Sequence, residues 1–131
     1  MAVRAYRHKS GSGGVGGSFS GASLFGEEVK REIRNRLQSA GRAAFETAKS
    51  LTPIDRGYLY NSWALTIDAP MHRDMEEPGE GYIENMSRIK ASSTLYLTNE
   101  KPYAGFINDG TSKIVPHQML ENALNAAWDE L

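Results

Sequence analysis

Three histidines and a run of carboxylates are the side chains of this sequence best suited to metal or acid–base chemistry. His8, His72 and His117 lie far apart, and no pair has the i, i+4 spacing that presents two imidazoles to one metal ion on a helix. Carboxylates crowd between residues 74 and 84, but without the glycine turn and the ligand offsets of a calcium loop. This run indicates a solvated acidic segment.

A second candidate for ligand binding is the glycine-rich stretch at residues 11–16, which matches the G-x-G-x-x-G pattern of dinucleotide-binding turns. In that mechanism the glycines follow a strand and lead directly into a helix, whose amino terminus holds the pyrophosphate. Here polar and basic residues precede the glycines, and the first helical pattern starts only at Glu27. We therefore interpret the stretch as a flexible glycine tract.

Cysteine is absent, which removes disulfides, thiolate zinc sites, iron–sulfur clusters and cysteine nucleophiles together. No serine lies in the G-x-S-x-G turn of the serine hydrolases. We expect no catalytic residue, no cofactor site and no metal site, and a protein that is not an enzyme. No stretch approaches the roughly 18 apolar residues of a membrane span.

Charge is distributed unevenly along the 131 residues, although the net charge is only −1. Residues 1–26 carry three basic side chains and no acidic one, and they are rich in glycine and serine. Such a composition loses much backbone entropy on ordering and buries little apolar surface, so we expect a flexible basic arm whose deletion leaves the domain folded. Candidate contacts of this arm with a neighbouring protein are Arg4, Arg7, Phe19 and Phe25.

The first element that could position a site is a long helix over residues 27–51. Apolar residues recur there at intervals of three or four, which is the spacing of one helical face. Pro53 ends the helix. A rod of about 37 Å exceeds the body of so small a domain, so we expect one end to overhang and meet another chain.

Strands follow, separated by one long polar segment. Alternating apolar side chains predict a strand over residues 59–67 and a second strand over residues 94–98. Residues 69–91 predict an exposed loop, and a short last helix begins near Pro116. The predicted fold class is α+β: residues 27–131 form one domain in which a long N-terminal helix and a short C-terminal helix pack on a small antiparallel β-sheet.

Two segments are more specific than any of these patterns. Residues 52–62 read TPIDRGYLYNS, and residues 102–113 read PYAGFINDGTSK. In the first segment, Asp55 can accept backbone N–H groups and Gly57 can adopt a positive φ, which would turn the helix sharply into the strand. On physical grounds alone, both segments can be turns that determine the fold without contacting a partner.

The order and spacing of the two segments resemble those of the tail-completion proteins of tailed bacteriophages, also called neck or head–tail joining proteins. That family shows A/T-P-V/I-D-T-G-x-L-x-x-S after a long helix, and Y-A-x-x-hydrophobic-E-x-G-T before a proline and a last helix. Arg56 stands where the family has Thr, and the glycine-rich arm lies outside the family pattern. The matching residues here are Pro53, Asp55, Gly57, Leu59, Ser62, Tyr103, Ala104, Gly110 and Thr111.

The resemblance implies a structural virion protein of the tail-completion or tail-terminator type, forming a homo-oligomeric ring at the head–tail junction. Its neighbours would be the phage connector and the tail-tube or sheath proteins, and genomic DNA would pass through the channel without specific binding. Assembly would take place in the host cytoplasm, without membrane contact. The alternatives are a head-closure or collar subunit of the same neck and, from another class, a small DNA-binding module with a basic arm. Further candidate contacts are Asp74, Glu76, Glu77 and Glu80 of the loop.

Overall fold

A computed structural model describes residues 2–9, 12–20 and 26–131 of the chain. Two strands and the long helix come first: β1 (Ala2–Lys9), β2 (Ser12–Ser20) and α1 (Glu27–Ser50). The next five elements are short: α2 (Tyr58–Asn61), β3 (Trp63–Ile67), β4 (Tyr82–Ile83), a 3-10 helix (Met86–Arg88) and β5 (Thr94–Asn99). Two further helices follow, α3 (Ala104–Asp109) and α4 (Met119–Glu130).

One five-stranded sheet forms the centre, in the order β1-β2-β5-β3-β4. Its strands pair antiparallel except β4, which runs parallel to β3. The sheet is therefore mixed rather than purely antiparallel. The reason is that residues 68–81 carry the chain back to the start of β3, so that Tyr82 lies beside Ala64 and Ile83 beside Leu65.

The long helix α1 and the shorter helix α4 both pack on the sheet, and the predicted α+β class is confirmed. α1 approaches closely at Gly41, where an added Cβ would lie 3.0 Å from Leu95 Cδ1 and 3.2 Å from Leu65 Cδ2. α4 runs antiparallel to α1, because Thr52 Oγ1 lies 3.2 Å from Met119 Sδ whereas Arg36 Nη1 donates to the carbonyl of Leu131. The end of α4 therefore lies beside the second and third turns of α1, where Glu32 and Arg36 share a depression with Asp129 and Glu130.

The prediction that residues 1–26 form a flexible arm is wrong for the described part of this segment, residues 2–9 and 12–20. β1 and β2 form a hairpin, and β2 pairs antiparallel with β5 over residues 15–20. Val15 and Phe19 are fully buried in the core. The glycines suit this strand, because a Cβ at Gly14 would lie 2.7 Å from the carbonyl oxygen of Asn99. Arg4 and Arg7 lie in β1, and Phe25 falls outside the described residues.

The predicted strand over residues 59–67 starts only at Trp63, since residues 58–61 form the single turn of α2. Leu59 is buried, as its place in the apolar pattern suggests. Leu59 and Trp63 are four residues apart, a spacing that fits a helical turn as well as an alternating strand. The pattern therefore identified Leu59, Trp63 and Leu65 as buried but assigned residues 59–62 to the wrong element. Both faces of β3 are buried, since Ala64 and Thr66 are buried as well.

The loop predicted as exposed at residues 69–91 is packed against the body of the domain over much of its length. Thr98 Oγ1 donates to the carbonyl of Met71, and the amide of Glu100 donates to the carbonyl of Arg73. Further along, Met86 and two other apolar side chains of this loop are buried. Most of its charged side chains are exposed, but Arg73 and Glu84 are half-buried and bonded to the domain.

Candidate functional site

The two motif segments are separated by 39 residues of sequence, yet they line one cleft of about 850 Å³. Aromatic and aliphatic side chains form one part of the wall, supplied by Tyr58, Leu59, Tyr103, Phe106, Ile107 and Ile114. Charged residues form another part: Asp55, Arg56, Glu76 and Lys101. Six of the nine family-motif residues line the cleft: Pro53, Asp55, Gly57, Leu59, Tyr103 and Thr111. The other three, Ser62, Ala104 and Gly110, do not line the cleft.

Thr52 fixes the start of the first segment directly after α1. Its hydroxyl donates to the carbonyl of Ala48 at 2.6 Å and accepts the indole N–H of Trp63 at 2.7 Å, and all three groups are buried. The end of α1 and the start of β3 are thereby joined through one side chain. The turn between them, which includes Pro53 and Asp55, is exposed.

Gly57 adopts the positive φ that the sequence predicts. Its φ is +80°, and it precedes the first residue of α2. A Cβ at this position would also lie 3.0 Å from Cβ of Pro78, so the loop leaves little space there. Both the backbone angle and the close approach therefore favour glycine.

Replacement of Gly57 should destabilise the fold. We expect Gly57→Ala to lower the free energy of unfolding by about 1 kcal/mol or more, and Gly57→Val to lower it further, because side chains disfavour positive φ. Urea unfolding followed by circular dichroism measures the change. The matched control is Gly26→Ser, since Gly26 has a φ of −68°, open space around it and the N-cap position of α1, which accepts serine. Equal stability of Gly57→Val and wild type would contradict this account of the turn.

Asn61 and Ser62 hold the loop in place beside the cleft. The Oδ1 atom of Asn61 accepts N–H groups from Arg73 and Gly81, and its Nδ2 atom donates to the carbonyl of Glu77. The Ser62 hydroxyl accepts the amide of Met75 at 2.8 Å. Ser62 is thus a positioning residue rather than part of the cleft wall, and sequence reasoning missed the role of Asn61.

Asn108 connects the second segment to α4. The family pattern has an acidic residue at this position, whereas the asparagine here is fully buried. Its Oδ1 accepts the amide of Leu120 in the first turn of α4, and its Nδ2 donates to the carboxylate of Glu121 at 2.6 and 3.0 Å. Asn108 therefore caps a helix that begins eleven residues later, a role that no local spacing reveals.

The turn after α3 depends on Gly110 and Thr111. Gly110 has a φ of +81°, and a Cβ there would lie 2.6 Å from Cγ of Pro116. Thr111 Oγ1 accepts the amides of Lys113 and Ile114, both at 3.1 Å. Thr111 therefore stabilises the turn itself, and the turn places Ile114 in the cleft wall.

Lys101 is the most unusual group in the cleft, because its side chain is only 3% exposed. Its Nζ lies 2.8 Å from carboxylate oxygens of both Asp74 and Glu76, and 5.6 and 5.8 Å from the ring centres of Tyr58 and Tyr103. Burial is the largest single influence and lowers the pKa of Lys101, but the hydrogen bonds and charges of the two carboxylates together leave the pKa raised. The loop is thereby tied to the cleft.

The four acidic loop residues proposed as contacts have partners within the same chain. Asp74 and Glu76 bind Lys101, and Glu80 lies 3.4 Å from Nζ of Lys49, which is stacked on Phe45 and Tyr60. Glu77 accepts through its backbone carbonyl from the Asn61 side chain. These interactions explain why an acidic loop stays close to the domain.

Within the described part of the chain, no three His, Cys, Asp or Glu side chains are grouped so that they could hold a metal ion. Among the same residues, no helix is both long enough and apolar enough to cross a bilayer. In comparisons with protein-family models, curated proteins and solved structures, nothing matches this chain.

Proposed function

We propose that this protein is a structural subunit of the neck of a tailed bacteriophage and forms a homo-oligomeric ring at the head–tail junction. The observation that carries the proposal is that both segments resembling the tail-completion family line a single cleft. The cleft has apolar residues in its wall, and two of them, Tyr103 and Phe106, remain about two-fifths exposed. Such a surface is typical of one that another protein covers.

Further apolar side chains border the same cleft. Ile54 is 71% exposed and stands between two residues of the wall, Pro53 and Asp55. Val115 is 80% exposed and directly follows Ile114 of the wall. A domain of this size buries a limited fraction of its surface on its own, so covering this patch in an assembly would add to its stability.

The two alternatives differ in what this surface should bind. A head-closure or collar subunit would use the cleft toward another neck protein. A DNA-binding module would depend on the basic residues at the start of the chain. Of these, Arg4 and Arg7 lie in strand β1 of the sheet and not in a free arm. The ring proposal accounts for the apolar surface, and the DNA-binding alternative does not use it.

Light scattering and electron microscopy of the purified protein test the proposal. We expect a mass that is a multiple of 14.4 kDa, with ring-shaped particles, and labelled antibody at the head–tail junction of phage particles that contain the chain. Titration with duplex DNA at increasing salt serves as the comparison, since a DNA-binding module loses affinity steeply as salt rises. A monomer with strong salt-dependent DNA affinity would contradict the ring and support the alternative.

A further inference from the structure

We propose that copies of this chain join head to tail, with Trp128 of one copy inserted into the cleft of the next. The inference rests on the proposed function, because it names the contact between neighbouring subunits of the ring. Trp128 and the cleft are different surfaces of the chain. A contact between different surfaces is heterologous, and it builds a ring when its rotation closes.

Trp128 is the inserted group because it is exposed without an evident structural reason. Its exposed fraction is 58%, whereas the other tryptophan of the chain, Trp63, is fully buried. On α4 the neighbouring residues Leu124 and Ala127 are buried, so the helix already has its core contacts without Trp128. A large aromatic side chain left in water gains most from burial, and tryptophan is enriched among the residues that dominate binding energy.

The cleft suits an aromatic and uncharged group. Its volume of about 850 Å³ is large enough for an indole with its flanking residues, and the side chains of Tyr58, Tyr103 and Phe106 offer aromatic surfaces. Lys101 does not attract an anion, because its ammonium is already bound by Asp74 and Glu76. An apolar guest therefore fits better than a phosphate.

A single copy cannot fill its own cleft with Trp128. The start of α4 lies beside the first motif segment, since Met119 Sδ is 3.2 Å from Thr52 Oγ1. Trp128 is nine residues further along the helix, about 14 Å away along its axis. The two surfaces thus lie toward opposite ends of α4, so a Trp128 side chain that enters the cleft comes from a second copy.

Charges near the contact partly complement each other. Asp129 and Glu130 are exposed beside Trp128, and Arg56 and Lys113 are exposed in the segments that form the cleft. Asp55 lies next to Arg56 and opposes this attraction. We therefore expect a mainly apolar contact whose strength changes little with salt, unlike binding to DNA.

Paired variants test the geometry. Trp128→Glu removes the inserted side chain, and Phe106→Glu places a charge in the cleft. Both positions are partly exposed, so we expect both variants to fold. Thermal unfolding checks this expectation. By sedimentation, each variant alone should associate at least about tenfold more weakly than wild type. An equimolar mixture should form heterodimers and nothing larger, since only one intact cleft and one intact Trp128 can meet. Ile83→Glu is the control, because Ile83 is 38% exposed, close to the 41% of Phe106, but lies on β4.

Tryptophan fluorescence gives a second, direct measurement. Trp63 is buried, so quenching by acrylamide reports mainly on Trp128. As wild type assembles, we expect quenching to fall and the emission to move to shorter wavelength, with no such change in Phe106→Glu.

The outcomes separate this inference from the proposed function. Rings that form with Trp128 still open to acrylamide, or from Trp128→Glu alone, would overturn the inference and leave the ring standing. Open chains linked through Trp128 would support the contact and overturn the ring. A wild-type chain that stays monomeric at high concentration would overturn both.

Discussion

Phe19→Ala should lower the free energy of unfolding by about 3–5 kcal/mol, as expected for removal of a fully buried aromatic side chain. Phe19 lies on the core face of β2 and pairs with Leu95 of β5. Deletion of residues 1–20 should go further and unfold the protein. It removes two of the five strands, exposes the edge of β5 and uncovers Leu95 and Leu97, which are otherwise fully buried.

Urea unfolding of matched variants measures this effect. Leu37→Ala removes a fully buried side chain of α1 and should cost a similar amount, so Phe19 and Leu37 should behave as members of one core. Val29→Ala is the control, because Val29 is exposed on the same helix and should change stability by less than about 0.5 kcal/mol. A folded deletion variant with an unchanged midpoint would show that the hairpin is an accessory to the domain.

The helices and central strands could be predicted because their signals are local. Apolar residues repeat along α1 at helical spacing, and Leu95 and Leu97 alternate with polar residues along β5. The hairpin could not be predicted in this way. On β2 the core face carries Val15, Gly17 and Phe19, and glycine contributes no apolar period, so the strand depends on pairing with β5. Tertiary contacts therefore override local propensity at this segment.

The cleft was only partly predictable for a related reason. A positive φ at Gly57 follows from the residue type and its place in a turn. By contrast, Asn108 acts on the distant Leu120, and Lys101 acts on Asp74 and Glu76, so their roles appear only when the chain is folded. Single polar residues whose partners are remote in sequence have no spacing that marks them.

The second large effect on the free energy of unfolding is expected when the two carboxylates that neutralise Lys101 are removed. The double substitution Asp74→Asn and Glu76→Gln leaves a buried ammonium without a counterion, and we expect a loss of about 2–3 kcal/mol in the free energy of unfolding. Lys101→Met should cost less. The two carboxylates that it leaves behind are partly exposed and can be hydrated again.

A triple variant separates the charge from the packing. Lys101→Met combined with the two amide substitutions removes every charge of the cluster while keeping side chains of similar length. It should regain most of the stability that the double variant loses, because no buried charge remains unpaired. A triple variant as unstable as the double variant would mean that the polar contacts of the carboxylates, rather than the Lys101 charge, account for the loss.

The pH dependence provides an independent test of the same cluster. Because the pKa of Lys101 is raised in the folded state, its contribution to stability is complete below the ordinary value of 10.5 and is lost as the pH rises through the folded-state pKa. In the double variant burial alone remains, which lowers the pKa of Lys101 and reverses the sign: stability should then increase as the pH approaches 10.5. Between pH 7 and about 10.5, thermal unfolding should therefore show a Lys101 contribution that stays nearly constant in the wild type and rises with pH in the double variant, once the triple variant is subtracted from each. Parallel slopes would mean that Asp74 and Glu76 do not set the charge state of this lysine.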